Sequence, residues 1–420
     1  MYSLSVPQTA ADAGARSVEA FARQIFGYLP RADQRRWAGI YLKGLLLTDG
    51  KKSVRRLAGS VSDSPTVSYS LQQFINSSPW DWEPGRDALV RWIEQRSSVR
   101  AWTVTPVILP KRGDQSVGVH QRFDPLSGRT VNCQMATVLF LSCPGANFPV
   151  DWRLLLPRQW ADDPGLRRRA RIPETETCRP QWRHTLDLIA DRAGRTGAPR
   201  VPVVADLTEA PDVRELTELL DATGLDFVVA VHPRALAGAG QGGAGRAAGR
   251  TAGRPAGHPR GAARGRARRR TAGGPDAGLP RMWNRHAAAV TGSDGRFRQA
   301  QVLSALIWRP VREGPRDGGE RRAYRLFREL GPDGTPDSRI WLTNLVHHRL
   351  DELLELARCY VSSLDTAECL DGRYELLDFA GRSFPAWHHH MTMVSAAYAH
   401  LRLVGPAQPT ALAAAGLRLG

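Results

Sequence analysis

Cysteine is scarce, with five in 420 residues. Cys133, Cys143, Cys178, Cys359 and Cys369 are an odd set without CxxC spacing, which excludes a disulfide framework and a zinc ribbon and leaves reduced structural thiols. Long apolar runs are missing too. No stretch reaches the roughly 18 residues that cross a bilayer, so no membrane partner is expected. The N-terminal MYSLSVPQTAADAGARS has neither the basic start nor the apolar core of a secretion signal, which points to a cytoplasmic chain. Acid is short relative to base: 41 Asp and Glu stand against 58 Lys and Arg, a formal +17. Such an excess favours a polyanionic partner through counterion release, nucleic acid first of all. The alternative is that the charge sits in one solvated tract.

One tract does concentrate it. Residues 236–281 are almost wholly Gly, Ala, Arg and Pro, with nine arginines between Arg246 and Arg270. This composition cannot bury enough apolar surface to offset its ordering entropy, and disorder is expected there. Before it, RSVEAFARQIFGYL, DQRRWAGIYLKGLLL, KKSVRRLAGSV, SYSLQQFINS and WEPGRDALVRWIEQR carry apolar residues at helical spacing, an N-terminal helical part over 1–98. Lys51, Lys52, Arg55 and Arg56 lie beside two short helices that could form a helix-turn-helix on DNA, or simply pack.

From Ala101 the period changes to that of strands. WTVTPVIL, SVGVHQRF and RTVNCQMATVLFLS read as an antiparallel meander. A helix over Gln181 to Ala193, the strand VPVVAD, a helix from PDVRELTELLDATG and the strand LDFVVAVH follow. Strands first in a meander and then alternating with helices give an α/β class with a mixed sheet. QVLSALIWRPV and RIWLTNL are further strands of a β-containing insertion over 282–345. HRLDELLELARCYVSSL and FPAWHHHMTMVSAAYAHLRL close the chain, over 346–420, as helices. Consecutive His388, His389 and His390 on a helix point three ways, which suits packing better than shared chelation of one ion.

The blocks KRGDQSVGVHQRFDPLSGRTVNCQ, PVDWRLLLPRQWADD, VVAD, WLTNL and GRSFPAWHHHMTMVSAAYAHL resemble, in order and spacing, the DDE-type transposases of bacterial insertion sequences. The resemblance implies an RNase H-like core over 99–235 and 346–420. It also implies double-stranded DNA as partner, with a homodimer on DNA left open, and Mg²⁺ as cofactor. The chemistry it implies is DNA phosphoryl transfer, in which clustered carboxylates hold two divalent ions that activate the attacking oxygen and stabilise the leaving one.

The family's first acid belongs to a pattern like W-x-x-D-[DE]-x-x-x-P-K. Here Trp102, Pro110 and Lys111 are in register, and Thr105 and Pro106 stand at the acid positions. The second acid, after VVA, is matched by Asp206, with Glu209 near it; capping of the following helix is the structural alternative. At the third, in a pattern like R-W-x-I-E, Leu364 stands where the glutamate belongs. Tyr360 and Val361 replace the Arg-Trp pair, and Asp371 replaces a later lysine. Asp365 is adjacent to Leu364 and Glu368 is one turn on, both candidate substitutes, although Asp365 is turned by about 100° from the Leu364 position. A lone carboxylate binds Mg²⁺ weakly, because hard cations need several oxygen ligands. The expectation is a transposase relative that keeps the fold and DNA affinity while metal-dependent cleavage is impaired or lost. An active enzyme with an altered acidic set and a repurposed DNA-binding regulator are the alternatives. Lys111, Arg112, Arg122 and Arg129, around the strand turns, are candidate phosphate contacts or a solvated rim.

Overall fold

The β-branched and aromatic run Ala101–Pro110 forms β1, the centre of a sheet of ten strands. The computed structural model describes residues 8–124, 128–195, 200–236, 283–291, 297–310, 321–331, 333–335, 339–377, 379 and 381–405. The Arg-rich tract expected to be disordered lies outside them, apart from Leu236.

Strand β1 pairs antiparallel with β3 (Arg129–Cys143), which pairs antiparallel with β4 (Ala146–Leu154). On its other side β1 runs parallel to β5 (Val203–Asp206), which runs parallel to β6 (Phe227–Val231). The order β4-β3-β1-β5-β6, a meander followed by two parallel strands, is the RNase H-like core. The meander is not made as the sequence pattern suggests. SVGVHQRF yields only β2 (His120–Asp124), which pairs with the first residues of β3. The third meander strand is ANFPVDWRL, whose Pro149 and Asp151 break the apolar alternation. Pro149 lies where the β3–β4 register shifts, opposite Phe140, so the missing amide falls at an irregularity.

Beyond β6 the sheet continues through β7 (Asn284–Thr291), β8 (Phe297–Pro310), β9 (Arg321–Leu330) and β10 (Ile340–Thr343) in the order β6-β10-β9-β8-β7, all antiparallel. The β-containing insertion therefore extends the central sheet. Strands β7 and β9, rich in Ala and Arg, carry little sequence signal for a strand.

Helix α11 (Leu350–Gly372) covers one face, where Leu353, Leu354 and Tyr360 pack with Ala101, Val204 and Trp341. The other face packs with α8 (Gln181–Ala193), α9 (Val213–Ala222) and α12 (Phe384–Leu403). Helices α1 (Gln8–Phe26), α2 (Ala32–Leu47), α3 (Val54–Gly59), α4 (Pro65–Asn76) and α5 (Glu83–Glu94) join the same hydrophobic cluster. Two short helices, α6 (Arg158–Asp162) and α7 (Pro164–Ala170), follow β4, and α10 (Pro233–Leu236) follows β6. Every residue from Ala386 to His400 is buried, as for a helix apolar all round and enclosed by other helices.

A buried ionic network fastens these layers. Arg86 of α5 donates to Asp151 Oδ1 of β4 at 2.6 Å and to Thr392 Oγ1 of α12 at 3.1 Å, and its Nη2 lies 3.0 Å from His388 Nδ1. Arg192 of α8 reaches Asp151 Oδ2 at 3.2 Å and Asp87 Oδ1 at 2.8 Å. Burial pushes the Asp151 carboxyl upward, yet Arg86, Arg192 and Arg195 hold it below the usual carboxylate range. The three consecutive histidines all serve packing: His389 lies between the carbonyls of Ile75 and Trp80, and His390 between Tyr41 and the carbonyl of Leu376.

Candidate functional site

Strand register decides what lies beside Asp206. Val104 is opposite Ala205, so one residue on, Thr105 comes level with Asp206 on neighbouring parallel strands, about 4.8 Å apart. Side chains alternate along a strand, so Ala101, Thr103 and Thr105 share the face of β1 that Ala101 packs toward α11. Val204 and Asp206 share the corresponding face of β5. Leu364 packs against this same cluster, one helical turn beyond Tyr360. The three positions thus converge on one side of the sheet.

Thr105 and Leu364 do not line the cavity at Asp206. That cavity, about 220 Å³, is bounded by Asp206, Glu209, Pro106, Arg122, Trp182 and Tyr360, among others. Thr105 is fully buried, and its Oγ1 has no hydrogen-bond partner among the described residues. The next residue along the strand end, Pro106, and the preceding turn of the helix, Tyr360, form the wall instead. Asp365 and Glu368 are exposed on α11, and neither is among the described residues that line the cavity.

The Asp206 carboxylate is already engaged. Its Oδ1 accepts from Thr208 N at 3.0 Å and from Thr208 Oγ1 at 2.6 Å, an Asx turn closing the strand. The capping of α9 belongs to Asp212, which accepts from Arg214 N, so Asp206 is not the helix cap. The other oxygen, Oδ2, faces Arg339 Nε at 3.6 Å, and the Arg339 guanidinium also lies 5.4 Å over the Tyr360 ring. Burial, and then the charge of Asp206, push the Tyr360 hydroxyl's pKa upward.

Sequence pattern gave no notice of Arg339. Its place follows from topology: Ile340 pairs with Val231, one residue past the Ala230 that lies level with Asp206. Arg339 therefore emerges at the sheet end that carries Asp206. Trp182 is half-buried at the cavity, whereas Trp152 and Trp160 are buried.

The basic candidates divide by environment. Lys52 is buried and donates to the Thr48 carbonyl, with its pKa lowered by burial, so it is not the exposed phosphate contact the sequence suggests. Lys111 reaches the carbonyls of Leu377 and Phe379 at 3.4 and 3.1 Å, tying the end of β1 to the segment before α12. Arg122 lies 2.9 Å from Met135 Sδ, and Arg56 donates to the Asp49 carbonyl at 2.8 Å. Lys51, Arg55, Arg112 and Arg129 are exposed.

A divalent pair needs several anionic oxygens aimed at one point. Asp206 and Glu209 border one cavity, while a hydroxyl and an isobutyl group occupy the other two positions. Among the described residues no group of three or more His, Cys, Asp or Glu is placed to hold a metal ion. The residues present do not fit the two-ion site.

The sequence model of a family described as DDE superfamily endonuclease matches residues 24–302. None of the curated proteins matches the chain. Among solved structures, the chain is similar to one in the cryo-EM structure of a piggyBac transposase synaptic complex with hairpin DNA. The identity is 10%, the TM-score is 0.38, and the match covers 92% of this chain and 71% of that one. So loose a superposition bears neither on this chain's chemistry nor on its partners.

Proposed function

Because the chain belongs to the DDE superfamily endonuclease family, we propose that it is a transposase-related DNA-binding protein in which metal-dependent strand cleavage is lost. The observation that carries this reading is the state of Asp206. It is the one acid at the three family positions, and its two oxygens are taken up by Thr208 and by the Arg339 guanidinium. In active relatives the metal pair supplies charge neutralisation and an activated oxygen. Here a fixed cation stands against the carboxylate, and a guanidinium stays charged at any physiological pH. Thr105 and Leu364 offer no anionic oxygen. What persists is the RNase H-like sheet, a strongly basic chain at +17, and exposed cations that can contact phosphates.

Glu209 beside Asp206 favours a second reading, an enzyme with an altered acidic set. One experiment separates them. Incubated with a transposon-end duplex and Mg²⁺ or Mn²⁺, the protein is expected to retain the duplex at low salt and to leave it uncut. Metal-dependent nicking that disappears in Asp206→Ala and in Glu209→Gln would establish the second reading and overturn the first.

A further inference from the structure

A concentration of positive charge lies away from Asp206. A cleft of about 680 Å³ opens between α3, α4, the end of α7 and the start of α12. Lys51, Arg55, Arg169, Arg171 and Arg382 line it, all are exposed, and no carboxylate is among its described lining residues. Arg55, Arg169, Arg171 and Arg382 make no ion pair among the described residues. Like charges converging on a concave wall repel one another and focus a positive field outward. An anion bound there would relieve that repulsion.

The wall is built rather than incidental. Arg171 ends α7 in the left-handed conformation at φ 53°, which costs a non-glycine residue roughly 1–2 kcal/mol. That turn sends its guanidinium to the Asn76 carbonyl and, at 2.9 Å, to Ser383 Oγ, linking α4, α7 and α12 across the cleft floor. Gln72 and Asn76, four residues apart on α4, add amide groups on one helix face.

We propose that this cleft seats the phosphate backbone of duplex DNA, with Arg55, Arg169 and Arg382 each contacting a phosphate. The proposal rests on the DNA-binding reading above and gives it a place. A single-stranded ligand is disfavoured because such sites stack bases on aromatic rings, and the cleft's one aromatic residue, Phe379, is buried. The cleft also adjoins the end of β1, the strand that carries Thr105. Lys111 binds the Phe379 carbonyl, and Thr105 to Lys111 spans roughly 20 Å at about 3.3 Å per residue.

The test uses the full chain, so that the Arg-rich tract contributes equally to every protein compared. Duplex affinity is measured from about 50 to 200 mM salt for the unmodified protein, for the triple variant Arg55→Gln, Arg169→Gln, Arg382→Gln, and for the same three changed to Lys. Each lost phosphate contact flattens the slope of log K against log salt by about 0.9, so the Gln variant is expected to lose up to about 2.7 and the Lys variant to keep the original slope. If the Gln variant keeps the slope of an unmodified protein that binds duplex, the cleft assignment is wrong and the DNA-binding reading stands. If the unmodified protein fails to bind duplex at low salt, both fall. Loss confined to a single-stranded oligonucleotide, with duplex binding intact, overturns the duplex assignment.

Discussion

Replacing Asp151 with Asn should cost about 3–5 kcal/mol of stability, the range for breaking a buried ion pair from one side. The side chains of Arg86, Arg192 and Asp151 are only 1%, 3% and 5% exposed, so two guanidiniums would be left beside a neutral amide without water to replace the lost charge. The amide oxygen could still accept from Trp152 N, which now donates to Asp151 Oδ1 at 2.8 Å, but its NH₂ would face arginine donors. A surface comparison is built in. Asp191 pairs with Arg153 at 55% exposure, and Asp191→Asn should cost no more than about 1 kcal/mol. Guanidinium chloride unfolding of both variants gives the difference directly. Restoring neutrality with Arg86→Met and Asp151→Leu should recover part of the loss, since well-packed apolar replacements of a buried pair are often tolerated. Equal midpoints for Asp151→Asn and Asp191→Asn would refute the claim that this network fastens α5, α8 and α12 to the sheet.

Thr105→Val keeps the shape of the side chain and removes a buried hydroxyl that lacks a partner, so it should raise stability by about 1 kcal/mol, read as a higher melting temperature. A fall of that size would mean the hydroxyl has a structural or ligand-binding partner. Stability should also decline with acid. Burial, with Arg153 nearby, lowers the His184 pKa from 6.5 to about 4, so the folded chain holds this ring neutral. The unfolded chain takes up the proton as pH falls through 6.5, whereas the folded chain does so only near 4. His184 therefore contributes fully above 6.5 and loses about 3 kcal/mol by pH 4. A denaturation midpoint flat between these limits would contradict it.

Much of the core was legible because its elements obey simple periods. VVAD and FVVAV are short, continuous apolar runs, and both are buried strands at the centre of the sheet. The helix over Gln181–Ala193 was equally plain. Strand β4 was hidden because Pro149 and Asp151 interrupt its pattern, and Asp151 is explained only by partners 65 and 41 residues away, Arg86 and Arg192. At the site, motif register marked Thr105, Asp206 and Leu364, of which Asp206 borders the cavity. It could not give the wall of the cavity, because a strand's neighbours and a helix's rotation are tertiary facts. Arg339 and the cleft residues Arg169, Arg171 and Arg382 were missed for the same reason: long-range packing brings them together, and no local spacing records it.

A chain with one acid at the three family positions should not assemble a pair of divalent ions at Asp206. Titration of the DNA-free full chain with Mn²⁺, followed by electron paramagnetic resonance of the free ion, tests it most directly. Binding is expected to be weak and non-stoichiometric, and Asp206→Ala is expected to leave it unchanged. Saturable uptake of two Mn²⁺ per chain, lost in Asp206→Ala, would contradict it.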